Sequence, residues 1–279
     1  MQKYKIVLIV LFAALVGLIT ANLLITPKTY HALKPRLEPA NVSPKAFLGP
    51  GPVMGPVRSP VMSIVLDDWG NNAPLLKKVL AINRPITIAV LPHQAHSSQI
   101  AEEACAGGLG VILHMPMQPK NQKVGLEPHL ITVETSDADI IQLTDMALAS
   151  VGACTEGVNN HMGSAATSDK RVMRTLLSHL KQKNLFFFDS FVISTSAGPD
   201  VAREVGVSFA KRDIFIDNKV EVEAIKDKLR EAKKMALVHG HVIVIGHDKE
   251  PTIEAIHQMV PELEKEGIRL VALRTLVKK

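Results

Sequence analysis

Several residue types that define whole classes of protein are scarce in this chain of 279 residues. Two cysteines exclude a disulfide-rich framework and a cysteine-rich zinc module. One tryptophan and two tyrosines disfavour an aromatic platform that stacks on sugar rings. The formal net charge is only +5 and no basic block is present, which argues against nucleic-acid binding. No glycine-rich phosphate loop follows the first predicted strand, which disfavours nucleotide binding.

A long apolar run is present near the amino terminus, where Ile6–Ile25 contains no charged side chain. About 20 apolar residues are enough to span a bilayer as a helix. The large Ile19 makes the nearest cleavage-like site a poor one, which favours an uncleaved anchor over a cleaved signal peptide. Lys3 and Lys5 predict a cytoplasmic amino terminus, with the rest of the chain outside the cytoplasm. Residues 1–26 are therefore predicted to be a membrane anchor or signal segment.

Proline dominates the next segment, residues 27–60, which contains eight prolines and three glycines. Such a stretch cannot hold a helix or a central strand, so it is predicted to be an extended, semi-rigid linker. The remaining residues 61–279 are numerous enough to bury a full core. A membrane segment, a proline-rich linker and a domain together are typical of a tethered envelope protein.

Short apolar runs alternate with amphipathic helical patterns throughout residues 61–279. Ser136 and Asp169 stand where side chains that cap helix starts are expected. Strands that are apolar along their whole length are typical of a parallel sheet covered on both faces, and the βα alternation indicates the α/β class. A (β/α) barrel and a doubly wound open sheet both fit. The predicted strands are Val61–Leu66, Ile86–Leu91, Leu109–Leu113, Gly157–Asn159, Leu185–Phe188, Ile214–Ile216, Val242–Ile245 and Arg269–Ala272.

Ionisable side chains recur directly after these strands, while the strand interiors stay apolar. In a barrel the carboxyl ends of the strands meet at one mouth, where active sites lie. Asp217 and Asp248 are interpreted as helix caps, since a βα loop often needs one. Histidine is not a preferred cap, so histidines in this position favour chemistry. The candidate site residues are Asp67, Asp68, His93, His114, Asn160, His161, Asp189, Ser190 and His247.

One carboxylate and two histidines, without cysteine, predict a metal site with open positions for water and substrate. Imidazole and carboxylate ligands suit one divalent ion, with zinc favoured, which lowers the pKa of bound water toward ~7. Asp67 and Asp68 are adjacent, and both can reach the mouth if the chain turns at the end of the strand. One of them can then bind the metal while the other stays free as a base.

The segment Ile64–Gly70, which reads IVLDDWG, resembles the first motif of polysaccharide deacetylases. The chain from Met62 to about Leu270 resembles the divergent polysaccharide deacetylase family more closely. That resemblance implies a distorted (β/α)7 barrel. It rests on Leu113–Met117 (LHMPM), Gly157–Ser164 (GVNNHMGS), Phe187–Ser190 (FFDS) and Ile245–His247 (IGH), of which the second is the most specific.

The resemblance also implies roles for individual residues. Asp67 matches the general base of the deacetylases and Asp68 their metal carboxylate. His114 lies where their metal-binding motif falls. His247 matches the histidine that serves as general acid, and Asp189 falls where an aspartate supports that histidine.

The chain departs from the ordinary deacetylase pattern in two places. Their second histidine ligand follows the first in a His-x-x-x-His motif, but Met-Pro-Met-Gln follows His114, so His161 on the next strand is predicted to replace it. Their Arg-x-Pro-Tyr motif is absent. Asn160 is expected either to bind an oxyanion or to hold its loop. Ser190 and His93 are candidates for lining the substrate pocket.

The cysteines Cys105 and Cys154 are interpreted as buried thiols, although an exported domain would permit a bridge between them. Two functions follow from the sequence. The first is a metal-dependent hydrolase of carbohydrate amide or ester bonds, acting on a carbohydrate or peptidoglycan-like substrate in the cell envelope. The second is a catalytically inactive envelope module that binds glycan or a protein partner. Asp67, Asp68, His114, His161 and His247 together favour the hydrolase, and the missing arginine motif favours the inactive module.

Overall fold

The computed structural model describes residues 59–121 and 129–279, which lie within one compact unit. The predicted anchor, residues 1–26, and almost all of the predicted linker, residues 27–60, lie outside the described residues. Within the described part, no helix combines the length and the apolar character that crossing a bilayer requires.

The described residues form nine strands and seven α-helices that alternate along the chain. All eight predicted strands are present, and the short β6 was not predicted. The strands are β1 (Val61–Trp69), β2 (Ile86–Val90), β3 (Gly110–Met117), β4 (Gly157–Met162), β5 (Phe186–Asp189), β6 (Phe209–Lys211), β7 (Ile214–Phe215), β8 (His241–His247) and β9 (Arg269–Leu270). The helices are α1 (Ala73–Ala81), α2 (Ser97–Ala106), α3 (Asp137–Val151), α4 (Lys170–Gln182), α5 (Gly198–Val205), α6 (Val222–His239) and α7 (Glu250–Lys265).

The strands form one parallel sheet in the order β6-β5-β4-β3-β2-β1-β8-β7, with β9 added beside β1. Among the described residues β6 and β7 are not paired, so hydrogen bonds do not close the sheet into a full barrel. The fold is therefore an α/β half-barrel. This confirms the distorted barrel that the resemblance implied, and the doubly wound alternative is wrong.

Two predicted caps start helices as expected. The side chain of Ser136 accepts a hydrogen bond from the Asp139 amide at the start of α3. Asp169 accepts one from the Val172 amide at the start of α4. Each side chain satisfies an amide that the first turn of a helix leaves without an intrahelical partner.

Two apolar clusters lie on the two faces of the sheet. The outer cluster fills the space between the sheet and the helices and includes Ile64, Leu66 and Leu113. The inner cluster lies on the concave face and includes Val65, Ile112, Phe188 and Ile245. The carboxyl-terminal segment closes the concave side, where the fully buried Leu273 belongs to the inner cluster and Leu276 and Val277 pack against it.

A disulfide joins Cys105 in the last turn of α2 to Cys154, which lies in the turn before β4. The interpretation of these cysteines as free thiols is therefore wrong. The sequence permitted the bridge but could not place two residues 49 positions apart next to each other. The fold does so because α2 and α3, which flank β3 in the chain, pack against each other and against β3 in the interior of the sheet.

Candidate metal centre and active site

The candidate site lies at the carboxyl ends of the strands, on the concave face. Because every second residue of a strand points to the same face, alternation decides which side chains reach it. Counting in steps of two from inner residues such as Val65, Ile112 and Ile245 leads to a polar side chain at the ends of six strands, β1, β3, β4, β5, β7 and β8. The residues that follow this alternation are Asp67, His114, Asn159, His161, Ser190, Asp217 and His247.

Three potential metal ligands converge here: Asp68, His114 and His161. Asp68 Oδ1 lies 3.2 Å from His114 Nε2 and 3.1 Å from His161 Nδ1. The two nitrogen atoms lie 3.1 Å apart. Ligand atoms held tetrahedrally at about 2.0–2.1 Å from zinc are separated by about 3.3–3.4 Å, so the spacing of the three atoms suits a small divalent cation.

The environment of Asp68 Oδ1 also suits a cation. This oxygen is buried, and within the described part of the chain it accepts no hydrogen bond of adequate geometry, although two imidazole nitrogens lie close to it. Buried oxygen atoms in proteins nearly always have a partner. The arrangement of the three side chains therefore suits binding of one shared cation better than hydrogen bonding among the side chains themselves.

Asp68 reaches the site because β1 departs from regular alternation at its end. A bulge in the pairing with β2 lies between Leu66 and Trp69. Asp68 has a φ of 69°, in the left-handed region that aspartate tolerates better than most residues. Trp69 is consequently turned into the outer cluster, where it is fully buried. Both carboxylates thus approach His114 Nε2, at 3.2 Å for Asp68 and 3.8 Å for Asp67.

Asn159 connects the buried Asp67 to His114 and fixes which nitrogen of His114 is free to bind a metal. Its Nδ2 donates to Asp67 Oδ1 at 2.9 Å and to Ser190 Oγ at 3.1 Å, so its Oδ1 faces His114 Nδ1 at 2.8 Å as an acceptor. His114 Nδ1 must then carry the hydrogen, which leaves the lone pair on Nε2 directed at the metal position. Such partners of metal-binding histidines orient the ring and set its tautomer.

The charges in the cluster alter the titration of its members. Burial raises the pKa of Asp67, against the opposing influence of His114 and His247. Burial also disfavours the charged form of Asp68, but its contacts with His114 and His161 hold the pKa of Asp68 well below its usual range. Burial opposes protonation of His114, yet the two carboxylates raise its pKa to about 9. A metal ion would compete with that proton for Nε2.

His247 is paired with Asp217, not with Asp189 as the resemblance implied. His247 Nδ1 lies 2.8 Å from Asp217 Oδ1, and the His247 amide donates to Asp217 Oδ2 at 2.7 Å. Although burial favours the neutral ring, the hydrogen bond and charge of Asp217 raise the pKa of His247. Asp217 is two residues beyond the inner Phe215, so alternation brings it to the concave side.

Asp189 points away from this site, which is why it does not pair with His247. It follows the inner residue Phe188 by one position, so alternation turns it toward the helices. Its carboxylate accepts hydrogen bonds from Ser196 Oγ at 2.6 Å and from the Phe191 amide at 2.7 Å. Asp189 therefore braces the loop between β5 and α5.

Asn160 holds its loop through the backbone. Its Nδ2 donates to the Met162 carbonyl at 2.7 Å, and its Oδ1 accepts from the Ser190 amide at 2.9 Å. Of the two expectations for Asn160, the structure thus favours loop bracing over oxyanion binding. Ser190 does reach the buried network, through Asn159.

His93 follows β2 with a φ of 59°, and its amide donates to Ser150 Oγ at 3.1 Å. Its exposed ring lies 4.9 Å from the ring of His129. Burial and the neighbouring His129 lower the pKa of His93. His93 therefore contacts α3 and His129, and its described contacts do not include Asp68, His114 or His161.

The interpretation of Asp217 and Asp248 as helix caps is wrong. Helices α6 and α7 begin after Glu221 and Lys249, and neither start has a side-chain cap. Asp248 instead donates its amide to the Asp67 carbonyl at 3.1 Å. Burial and the charge of Asp68 raise the pKa of Asp248 to about 7.

Sequence reasoning gave no role in the site to Asn159 or Arg212, and it interpreted Asp217 as a helix cap. Arg212 donates to the carbonyl groups of Ser190 and Phe191 at 2.7 and 2.8 Å. Its guanidinium lies 3.8 Å from the centre of the Phe215 ring, which is stacked on the ring of His247. Alternation counted from the inner apolar residues would have found Asn159 and Asp217. Arg212 follows β6, which was not predicted as a strand.

Comparison with protein families places this geometry in context. The family model described as divergent polysaccharide deacetylase matches residues 64–277. The uncharacterized protein YibQ of Escherichia coli K12 is 33% identical over 222 residues, which is 80% of this chain and 69% of that protein. The range matched by the family model includes every residue of the candidate site.

Solved structures share the fold at low sequence identity. An uncharacterized protein from Agrobacterium tumefaciens C58 superposes with a TM-score of 0.74 at 18% identity, covering 79% of this chain and 90% of that one. A CE4 family pseudoenzyme from Bacillus anthracis superposes with a TM-score of 0.53 at 14% identity, covering 78% of this chain and 65% of that one.

Proposed function

The chain belongs to the divergent polysaccharide deacetylase family, and on that premise we propose that it is a metal-dependent hydrolase of carbohydrate amide or ester bonds. The observation that carries the proposal is the convergence of Asp68, His114 and His161 beside a separate buried carboxylate, Asp67. A structural role alone would not explain why four ionisable groups share a site in which Asp68 Oδ1 accepts no hydrogen bond of adequate geometry from residues 59–121 and 129–279. Buried ionisable groups with perturbed pKa values are typical of reactive sites.

Asp68, His114 and His161 are proposed to hold one divalent ion, with zinc favoured by the imidazole and carboxylate ligands. When bound, such an ion polarises an acyl carbonyl and lowers the pKa of a neighbouring water. Asn159 keeps the Nε2 lone pair of His114 directed at this position. Asp68 supplies the negative charge that two neutral imidazoles lack.

Asp67 is proposed to be the general base. It is adjacent in sequence to a metal ligand, and its Oδ2 lies 3.8 Å from His114 Nε2. Its other oxygen is held by Asn159, so the carboxylate cannot rotate freely. Burial raises its pKa, which makes it a stronger base than an exposed carboxylate, while a neighbouring cation keeps it ionised.

His247 is proposed to be the general acid that protonates the leaving nitrogen or oxygen. It is partly exposed, so substrate can reach its Nε2, while Nδ1 is bonded to the buried Asp217. The aspartate orients the ring and stabilises the protonated form, which an acid at neutral pH requires.

The substrate is proposed to be an acetylated carbohydrate or peptidoglycan-like polymer outside the cytoplasm. The Cys105–Cys154 disulfide supports this location, because such bonds persist mainly in exported proteins. The apolar run Ile6–Ile25 supports attachment to the membrane through an amino-terminal helix. A tether of this kind would keep the hydrolase close to the wall polymer.

The test measures metal content and acetate release in the zinc-treated full chain. We expect one zinc per chain and release of acetate from acetylated chitooligosaccharide or peptidoglycan fragments. His114→Ala should lose both, whereas the control His257→Ala, on the exposed side of α7, should lose neither. Equal metal retention in the two variants would refute the ligand assignment.

Metal binding without turnover would instead favour the inactive envelope module that binds glycan or a protein partner. That alternative draws on the fold shared with the Bacillus anthracis pseudoenzyme and on the absent arginine motif. A mutant of that Bacillus anthracis protein has restored enzymatic activity.

A further inference from the structure

The most exposed large apolar side chains in the described residues are at the end of the molecule opposite the candidate site. Leu237 and Val238 in the last turn of α6 are 52% and 76% exposed. Helix α6 ends at Gly240, just before β8 begins, so this turn lies beside the amino ends of the strands. No other described residue covers these two side chains.

Three cations without acidic partners lie on the same face. Arg269 begins β9, and Lys278 and Lys279 end the chain. All three are exposed and none forms an ion pair within the described ranges. A cavity of about 570 Å³ is lined by Gly240, His241, Arg269 and Lys278, which places Arg269 and Lys278 beside the end of α6. Lys279 lines a neighbouring cavity together with His241 and Lys278.

The chain also enters the domain on this face. The amide of Val61 donates to the Gly240 carbonyl at 3.1 Å, and the Pro60 carbonyl accepts from the Arg269 amide at 2.9 Å. Pro60 and Val61 therefore lie between the apolar turn and Arg269. Residues 26–58 could extend to roughly 110 Å, so the tether alone would not hold the domain against a bilayer.

We propose that this face, comprising Leu237, Val238, Arg269, Lys278 and Lys279, docks on an anionic phospholipid bilayer. Apolar side chains that enter the interface and cations that contact lipid phosphate are the two contributions to such binding. The tether raises the local concentration of the face at the membrane. Docking would direct the candidate site, at the other ends of the strands, away from the lipid. The proposal rests on the membrane attachment proposed above.

The test uses the full chain, reconstituted into vesicles of phosphatidylglycerol and phosphatidylcholine with brominated acyl chains. Bromine quenches an indole that enters the bilayer. Val238→Trp places an indole on the docking face, and Val220→Trp, 44% exposed after β7, places one on the opposite face as the matched control. Trp69 is fully buried and gives the same background in both variants.

We expect strong quenching of Trp emission in the Val238→Trp protein and little change in the Val220→Trp protein. Combining Val238→Trp with Arg269→Glu, Lys278→Glu and Lys279→Glu should abolish most of that quenching, as should pure phosphatidylcholine. Reversal of three exposed lysines elsewhere, Lys77, Lys120 and Lys170, should leave it unchanged.

Three outcomes would overturn the docking proposal. The first is equal quenching of both indoles, and the second is quenching that survives reversal of the three cations. The third is no quenching in the Val238→Trp protein although the chain floats with the vesicles. That result would mean that another segment of the chain or a second copy covers the face. A chain that does not float with the vesicles refutes the attachment as well, whereas zinc content and acetate release test the hydrolase separately.

Discussion

At the carboxyl ends of the strands, ionisable side chains are buried and bonded to one another, whereas near the amino ends the buried side chains are mainly apolar and the buried polar ones, Ser63 and Thr87, carry no charge. Asp67, His114 and Asn159 are almost completely buried within the first group. Leu273, Leu276 and Val277 close the opposite end. Burying charges is costly unless each has a partner, while burying apolar groups stabilises the fold directly. Substitutions at the carboxyl ends of the strands should therefore change activity more than the free energy of unfolding. Substitutions at the amino ends should change the free energy of unfolding more than activity.

The largest effects are expected from the proposed base and acid. Asp67→Asn and His247→Ala should each lower kcat by ~10²–10⁴, because each removes one proton transfer. Asn at position 67 still accepts the hydrogen bond from Asn159, so zinc content should stay near that of wild type in both variants. Steady-state kinetics with elemental analysis checks this. Loss of zinc from the Asp67→Asn protein would identify Asp67 as a ligand instead.

The next largest effect is expected at the opposite end. Leu273→Ala should lower the free energy of unfolding by about 2–5 kcal/mol, because it leaves a cavity in the inner cluster. Zinc affinity should not change, since the side chain lies away from the ligands. Chemical denaturation and zinc titration measure the two quantities. A variant that lost zinc affinity without losing stability would contradict the contrast between the two ends.

A smaller effect is expected from Asn159. Asn159→Ala removes the acceptor that holds His114 Nδ1–H, and loss of such a partner typically costs 10–100-fold in metal affinity. Asn160→Ala is the matched control, because the Asn160 amide bonds only to backbone groups. Competition with a chromogenic chelator measures both affinities. Equal losses of metal affinity in the two variants would show that the affinity depends on the loop that Asn160 holds and not on the tautomer of His114.

The smallest effect is a shift in the pH profile. Asp217→Asn removes the negative charge that raises the pKa of His247, and its single oxygen can accept either from His247 Nδ1 or from the His247 amide. His247 should then lose its proton at lower pH, so the alkaline limb of kcat against pH should move to lower pH. Asp189→Asn is the control and should not move that limb, because Asp189 contacts the β5–α5 loop. A shift of the limb in the Asp189→Asn protein but not in the Asp217→Asn protein would show that Asp189, as the resemblance implied, supports His247.

The sequence predicted the fold because its strands are short apolar runs with polar residues directly after them. It also predicted that Asp68, His114 and His161 lie close together, since each comes just after a predicted strand. It failed on β6 because Phe209–Lys211 contains a lysine and no β-branched residue, whereas the shorter β7 lies in the apolar run Ile214–Ile216. The choice of the aspartate beside His247 failed for a different reason. Asp189 and Asp217 both follow strands, and only the face of the sheet separates them.

The disulfide has a consequence for the unfolded chain. The bond closes a loop that contains β3, so His114 lies inside a covalent ring of about 50 residues. Closing a loop of this size removes disorder from the unfolded ensemble and stabilises the folded domain by about 4 kcal/mol in a chain-entropy treatment. Reduction would therefore weaken the domain while leaving every contact among Asp68, His114 and His161 intact. Under reducing conditions the folded domain would therefore keep the same candidate metal ligands in place but would unfold more easily.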